Sequence, residues 1–242
     1  MITHLRKLKV KFPLKTAYDW PIPPEERPIA IPEHIIGNYA QNVYLKENLA
    51  PALEEELEHN TNLEHHYWVI RKWGKIPNFS QTQDRIIAFK QELENGELSK
   101  NTFDAISSFS KLSSFWNPSL NAIYDSRAVY ALNWLIFRHR KEMHLFPQPP
   151  GRPQPKEPFG PYQGLTPGFQ PDARTLFELS CEQICYCGRK TAYHKYCELL
   201  RELSQEVYGD ARPFHVEMLL FTAARNGEIA RDIERTIAVS IR

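Results

Sequence analysis

Apolar positions along the chain fall into blocks of helical spacing separated by proline-rich stretches. Residues 51–58 carry a short helical signal, and residues 84–93 place Ile86, Ile87, Phe89 and Leu93 along one side, with Gly96 as the expected C-cap. A further helix, capped by Asn101 or Thr102, carries Phe103, Ile106, Phe109, Leu112 and Phe115 and ends at Asn117-Pro118. Asp125 or Ser126 then caps a helix in which Val129, Leu132, Leu135 and Ile136 alternate with Tyr130, Trp134 and Phe137, so that nearly every side is apolar. Such a helix is expected in the middle of a core. Helical patterns return at 173–185, 191–208, 213–224 and 227–237.

Three stretches break this rhythm. At the start, Lys7, Lys9 and Lys11 alternate with Leu8, Val10 and Phe12, a two-residue period that predicts a strand or an extended basic arm. From residue 13 to 32 six prolines forbid regular helix and predict a strap laid over the surface. Nine of the 19 prolines lie between Phe146 and Pro171, where they mark an irregular crossover. The expected fold is all-α or mainly α and two-lobed, with room for a small N-terminal β element. Residues 1–50 would form the strap, 51–145 one helical lobe, 146–172 the crossover and 173–242 the second lobe.

Composition narrows the function classes only a little. At 242 residues, 42% of them hydrophobic, the chain can bury a core unaided. A net charge of +1 from 30 basic and 29 acidic residues means that any nucleic-acid surface must be a local patch. The longest apolar run, residues 128–137, falls well short of the roughly 20 residues a membrane helix needs, and no signal-type run opens the chain. A soluble protein of the cytoplasm, in a prokaryote the cytosol or nucleoid, is the expectation.

Candidate chemistry concentrates in residues 106–127, ISSFSKLSSFWNPSLNAIYDSR. Lys111 sits inside a mostly apolar helix, and Asp125 stands at the entry of the buried helix that follows. There backbone N–H groups and the helix dipole favour the ionised carboxylate. Taken singly, a lysine on such a helix usually snorkels to solvent and an aspartate before a helix is usually only a cap.

Together with Pro118 and the run Ala122-Ile123-Tyr124-Asp125-Ser126-Arg127, the segment resembles the catalytic region of the helix-hairpin-helix DNA glycosylase superfamily. The likeness is to the 8-oxoguanine-glycosylase-like branch, which includes bacterial phage-defence members. Residues 145–152, LFPQPPGR, are also similar to a loop of that branch. The resemblance implies Lys111 as a Schiff-base amine and Asp125 as the catalytic carboxylate. It implies double-stranded DNA carrying a damaged or modified base as partner, excision by cleavage of the N-glycosidic bond with AP-lyase activity where Lys111 acts, and no cofactor. Two departures stand out: residues 104–110 lack the hairpin glycines that grip a phosphate, and the Lys-to-Asp interval is longer by about one helical turn. Without an aligned lysine the enzyme would be a monofunctional hydrolase.

Trp116, Tyr124 and Arg127 are candidates for stacking on an extruded base or filling its gap, although both aromatics are more often core. Arg138, Arg140 and Lys141 are the favoured phosphate contacts, ahead of the group Arg71-Lys72-Trp73-Gly74-Lys75. The cysteines Cys181, Cys185, Cys187 and Cys197 match neither zinc nor iron–sulfur spacing, so no metal is expected and buried reduced thiols are. His65 and His66 read as surface or capping residues. Two other readings remain open: a defence glycosylase that excises a hypermodified base such as a glucosylated cytosine, and a non-catalytic helical module that binds DNA by shape and phosphate.

Overall fold

In the computed structural model the residues described are 1–24, 27–59, 62–139, 144–150 and 186–240, with side chains to residue 236. The elements are α1 (Ile2–Lys11), α2 (Leu14–Ala17), α3 (Asn38–Asn48), α4 (Ala50–Glu58), α5 (Glu64–Tyr67) running into a π-helical turn (Trp68–Trp73), α6 (Gln83–Glu94), α7 (Lys100–Phe103), α8 (Ile106–Trp116), α9 (Ser126–His139), α10 (Arg189–Tyr208), α11 (Phe214–Arg225) and α12 (Glu228–Ser240). The fold is mainly α, and an isolated bridge between Leu145 and Tyr186 is the β pairing among the described residues. No helix among them is long and apolar enough to cross a membrane. The pattern at 173–185, with Cys181 and Cys185, and most of the proline-rich crossover lie outside the described residues.

The expected N-terminal strand is a helix. Leu5 and Leu8, three residues apart, are buried, whereas Val10 is 81% exposed, so the lysine alternation never formed a sheet face. Lys9 and Lys11 are also committed to the fold, the first to the Val207 carbonyl and the second to Glu228. The strap is correspondingly shorter, because α2 occupies its start and α3 begins at Asn38, inside the stretch expected to be extended. Helix α3 escaped prediction because two of its three buried residues, Asn42 and Lys46, are polar and leave no apolar stripe to read. Helix α8 is separated from α7 by a break at Asp104-Ala105, and the side chain that caps α7 is Ser99, not Asn101 or Thr102.

The centre of the molecule is α9 against α11, flanked by α10. Residues 128–136 of α9 are all buried, as are residues 214–224 of α11. Each fully buried large apolar side chain contributes about 1.5–3 kcal/mol, so this pair anchors the core. Asn133, which breaks the apolar run of α9, clamps the chain beyond the helix: its Nδ2 donates to the Phe146 carbonyl and its Oδ1 accepts from the Phe146 N–H, both at 2.8 Å. Asn133→Leu would strand both backbone groups in the core. A loss of about 2–4 kcal/mol is expected, seen as a melting temperature lower by roughly 5–15 °C.

Candidate active site

Segment 117–125 connects α8 to α9, and α10 holds it from behind. The Tyr193 hydroxyl donates to the Ala122 carbonyl at 2.9 Å and the Tyr196 hydroxyl to the Ile123 carbonyl at 3.0 Å, while the Ala122 N–H points at the Cys197 sulfur. From the front, Ser110 Oγ of α8 accepts the Tyr124 N–H at 2.9 Å. A loop that would otherwise bury unpaired backbone is thereby satisfied residue by residue. It delivers Asp125 to the head of α9.

Asp125 is the N-cap: its Oδ1 accepts the Arg127 N–H at 2.9 Å. The Arg127 guanidinium also clasps both carboxylate oxygens, at 3.0 and 3.2 Å, and lies over the Phe221 ring of α11 at 4.5 Å. Burial opposes ionisation of Asp125, but the charge and hydrogen bonds of Arg127, joined by the charge of Lys111, outweigh it and hold the carboxyl below its usual range.

Lys111 is 7% exposed, and its ammonium donates to the Ser107 carbonyl one turn back, at 2.5 Å. Burial pushes its pKa down and the nearby Asp125 carboxylate pushes it back up. Its stem is covered by Gly74, which follows the π-helical turn. A Cβ there would lie 2.6 Å from Lys111 Cδ and 2.6 Å from the Ile70 carbonyl oxygen. A wider π turn at this point is the kind of irregularity that recurs at functional sites.

Two charged groups with no place in the sequence motif complete the cluster. Lys46 of α3 is fully buried, donates to Ser114 Oγ at 2.8 Å and lies over the rings of Phe115 and Trp73. Burial lowers its pKa, Glu217 raises it and Lys111 lowers it. Glu217 of α11 is 3% exposed, and its Oε2 has no hydrogen-bond partner. Burial pushes it up to about 8; Lys46 counteracts and Asp125 reinforces this. Glu217 carried a signal, as the one acidic residue in the run FHVEMLLFTAA. Lys46, in the ordinary helical context YLKEN, carried none.

The structure therefore brings Lys111, Asp125 and Arg127 together and sets the other candidates apart. Trp116 is buried in a separate cluster, its Nε1 donating to His66 Nε2 at 3.2 Å beside Phe89. His66 is itself fully buried and bonded to Glu56, not a surface residue. Tyr124 is fully buried among Phe103, Tyr193 and Tyr196, with its hydroxyl on the Pro147 carbonyl. Arg138 lies about 20 Å along α9 from Asp125 at 1.5 Å per residue and is paired with Asp232, which also accepts from Trp134. Arg140 and Lys141 lie outside the described residues.

The basic group beside the cluster is instead the one at the π turn. Arg71, Lys72 and Lys75 are exposed around Gly74. Lys75 lies over Trp20 at 4.4 Å, and Trp20 packs edge-on against Phe221, the ring under Arg127. Two cations thus flank a pair of rings, of which Trp20 is half-buried and Phe221 buried. A cleft of about 330 Å³ opens elsewhere, between α4 and α5. Its Glu55, Glu56 and Glu64 suit a cation and repel an anion. Cys197 is buried and Cys187 half-buried, both as free thiols, and no group of His, Cys, Asp or Glu among the described residues is arranged to hold a metal. No protein-family model, no curated protein and no solved structure matches this chain.

Proposed function

We propose that this chain is a DNA glycosylase in which Asp125 and Lys111 act on the N-glycosidic bond of an extruded base. The observation that carries the reading is a buried amine, held on the Ser107 carbonyl, within electrostatic reach of a carboxylate that caps a helix and is clasped by Arg127. Cleavage of the bond between a base and C1′ develops positive charge on the sugar, and a fixed buried carboxylate stabilises it. An amine whose charged form is disfavoured by burial is the group that can lose its proton and attack C1′. The exposed Arg71, Lys72 and Lys75 beside the half-buried Trp20 support the same reading, because cations next to an accessible ring suit a nucleic-acid backbone and its bases.

A non-catalytic DNA-binding module is the competing reading. It is favoured by the engagement of both groups within the protein, Lys111 on Ser107 and Asp125 on Arg127. The two are separated by incubating the protein with duplexes carrying oxidised, deaminated, alkylated and phage-type modified bases, with borohydride present. Base release with a trapped adduct that disappears in Lys111→Gln is expected. Salt-dependent binding with no base released from any duplex would overturn the glycosylase and leave the module.

A further inference from the structure

Glu217 is the feature of this cluster that neither the motif nor the proposed chemistry explains. A carboxyl oxygen buried without a partner is costly unless the group is neutral or has a task. Its surroundings differ sharply from those of Asp125, the other carboxyl of the cluster. Asp125 receives three hydrogen bonds from Arg127, whereas the Oε2 of Glu217 receives none. The charges that act on Glu217 are those of Lys46 from α3, Asp125 and Arg127 at the head of α9, and Lys111 from α8. Tyr18 of the strap and Tyr193 and Tyr196 of α10 also sense its charge. Two carboxyls driven apart in this way, one held ionised and one held protonated, divide the roles of electrostatic stabiliser and acid between them.

We propose that Glu217 is the general acid of this site, the group that protonates the departing base while Asp125 faces the sugar. The assignment rests on the glycosylase reading. In the step, the O–H bond of Glu217 breaks and a bond from that proton to the leaving base forms. The electron pair of the C1′–N bond departs with the base. The cationic sugar is left opposite the Asp125 carboxylate and is captured at C1′ by the Lys111 amine or by water, and the proton that the nucleophile sheds on bonding passes to solvent. The carboxylate left on Glu217 is then offset by the charge of Lys46, the buried cation whose field reaches it. A proton from solvent restores the acid.

The test is Glu217→Gln, which keeps the shape of the protonated side chain and removes only the acid. Base release from an ordinary modified nucleotide is expected to slow by roughly 10²–10⁴-fold, the range for general acid catalysis. An oligonucleotide whose target carries a nitrophenolate leaving group needs no protonation, and its cleavage should change by less than about tenfold. Because burial raises the pKa of Glu217, the parent's rate on the ordinary substrate should fall on the alkaline side as that carboxyl ionises, and the variant should lack that limb. Difference infrared spectra at neutral pH should show a protonated carboxyl band in the parent that is missing in Glu217→Gln. Equal slowing on both substrates, or no such band, would overturn the acid role and leave the glycosylase reading standing. A parent that releases no base from any duplex would overturn both.

Discussion

Asp125→Asn is expected to reduce base release by roughly 10²–10³-fold, the loss typical of removing one preorganised electrostatic contact to a transition state. The substitution isolates charge from structure. Asparagine is as good an N-cap as aspartate, so its Oδ1 can still accept the Arg127 N–H and start α9. What disappears is the negative charge opposite the developing cation and the charge-assisted clasp of Arg127. Because Arg127 is 37% exposed in its side chain, its guanidinium can turn to solvent when its partner becomes neutral. The structural cost should therefore stay near 1–2 kcal/mol, within the range for hydrogen bonds to a charged group. Single-turnover kinetics beside a thermal melt check both halves. A melting temperature within a few degrees of the parent and a rate lower by two orders of magnitude or more is the expected pair, and an unchanged rate would remove Asp125 from the chemistry.

Gly74→Ala is expected to be the most damaging single methyl group in the described part of the chain. The added Cβ would sit 2.6 Å from the Ile70 carbonyl oxygen and 2.9 Å from that of Val69, both backbone atoms of the π turn, and 2.6 Å from Lys111 Cδ. The Lys111 stem could give way, but the two carbonyls can move only if the turn rewinds. Gly74 donates its own N–H to the Val69 carbonyl at 2.8 Å, so rewinding breaks the bond that closes the turn. Overpacking of this kind costs about 1–3 kcal/mol, with about 1 kcal/mol more for the broken hydrogen bond. A melting temperature lower by roughly 5–15 °C is the consequence. Lys111 must shift as well, so adduct trapping by borohydride should weaken even at temperatures where the variant is folded. Gly96→Ala serves as the control for glycine removal, since no atom lies within 4 Å of its Cβ position, although its φ of +79° makes it strained.

What the residue pattern alone determined is the run of long helices and one local arrangement. Helical spacing in 84–93, 106–116 and 126–139 is a property of neighbouring residues, and it survives in α6, α8 and α9 because tertiary packing uses the same apolar positions, whereas Phe103 falls in the separate helix α7. The cap at Asp125 was legible for the same reason, since an N-cap bonds two or three residues along the chain. What only the tertiary structure decided is everything that depends on partners distant in sequence. Leu5 and Leu8 overrode the lysine alternation because they found a core to enter. Trp116 and His66 were claimed by each other across fifty residues, and Arg138 by Asp232. Lys46, Glu217 and Gly74 come to the cluster from three separate parts of the chain, and although the apolar run around Glu217 announces a buried acid, no local pattern names the groups on other helices that it meets. Periodicity records which face of a helix is buried; it carries no information about what that face meets, and the chemistry of this cluster resides in those meetings.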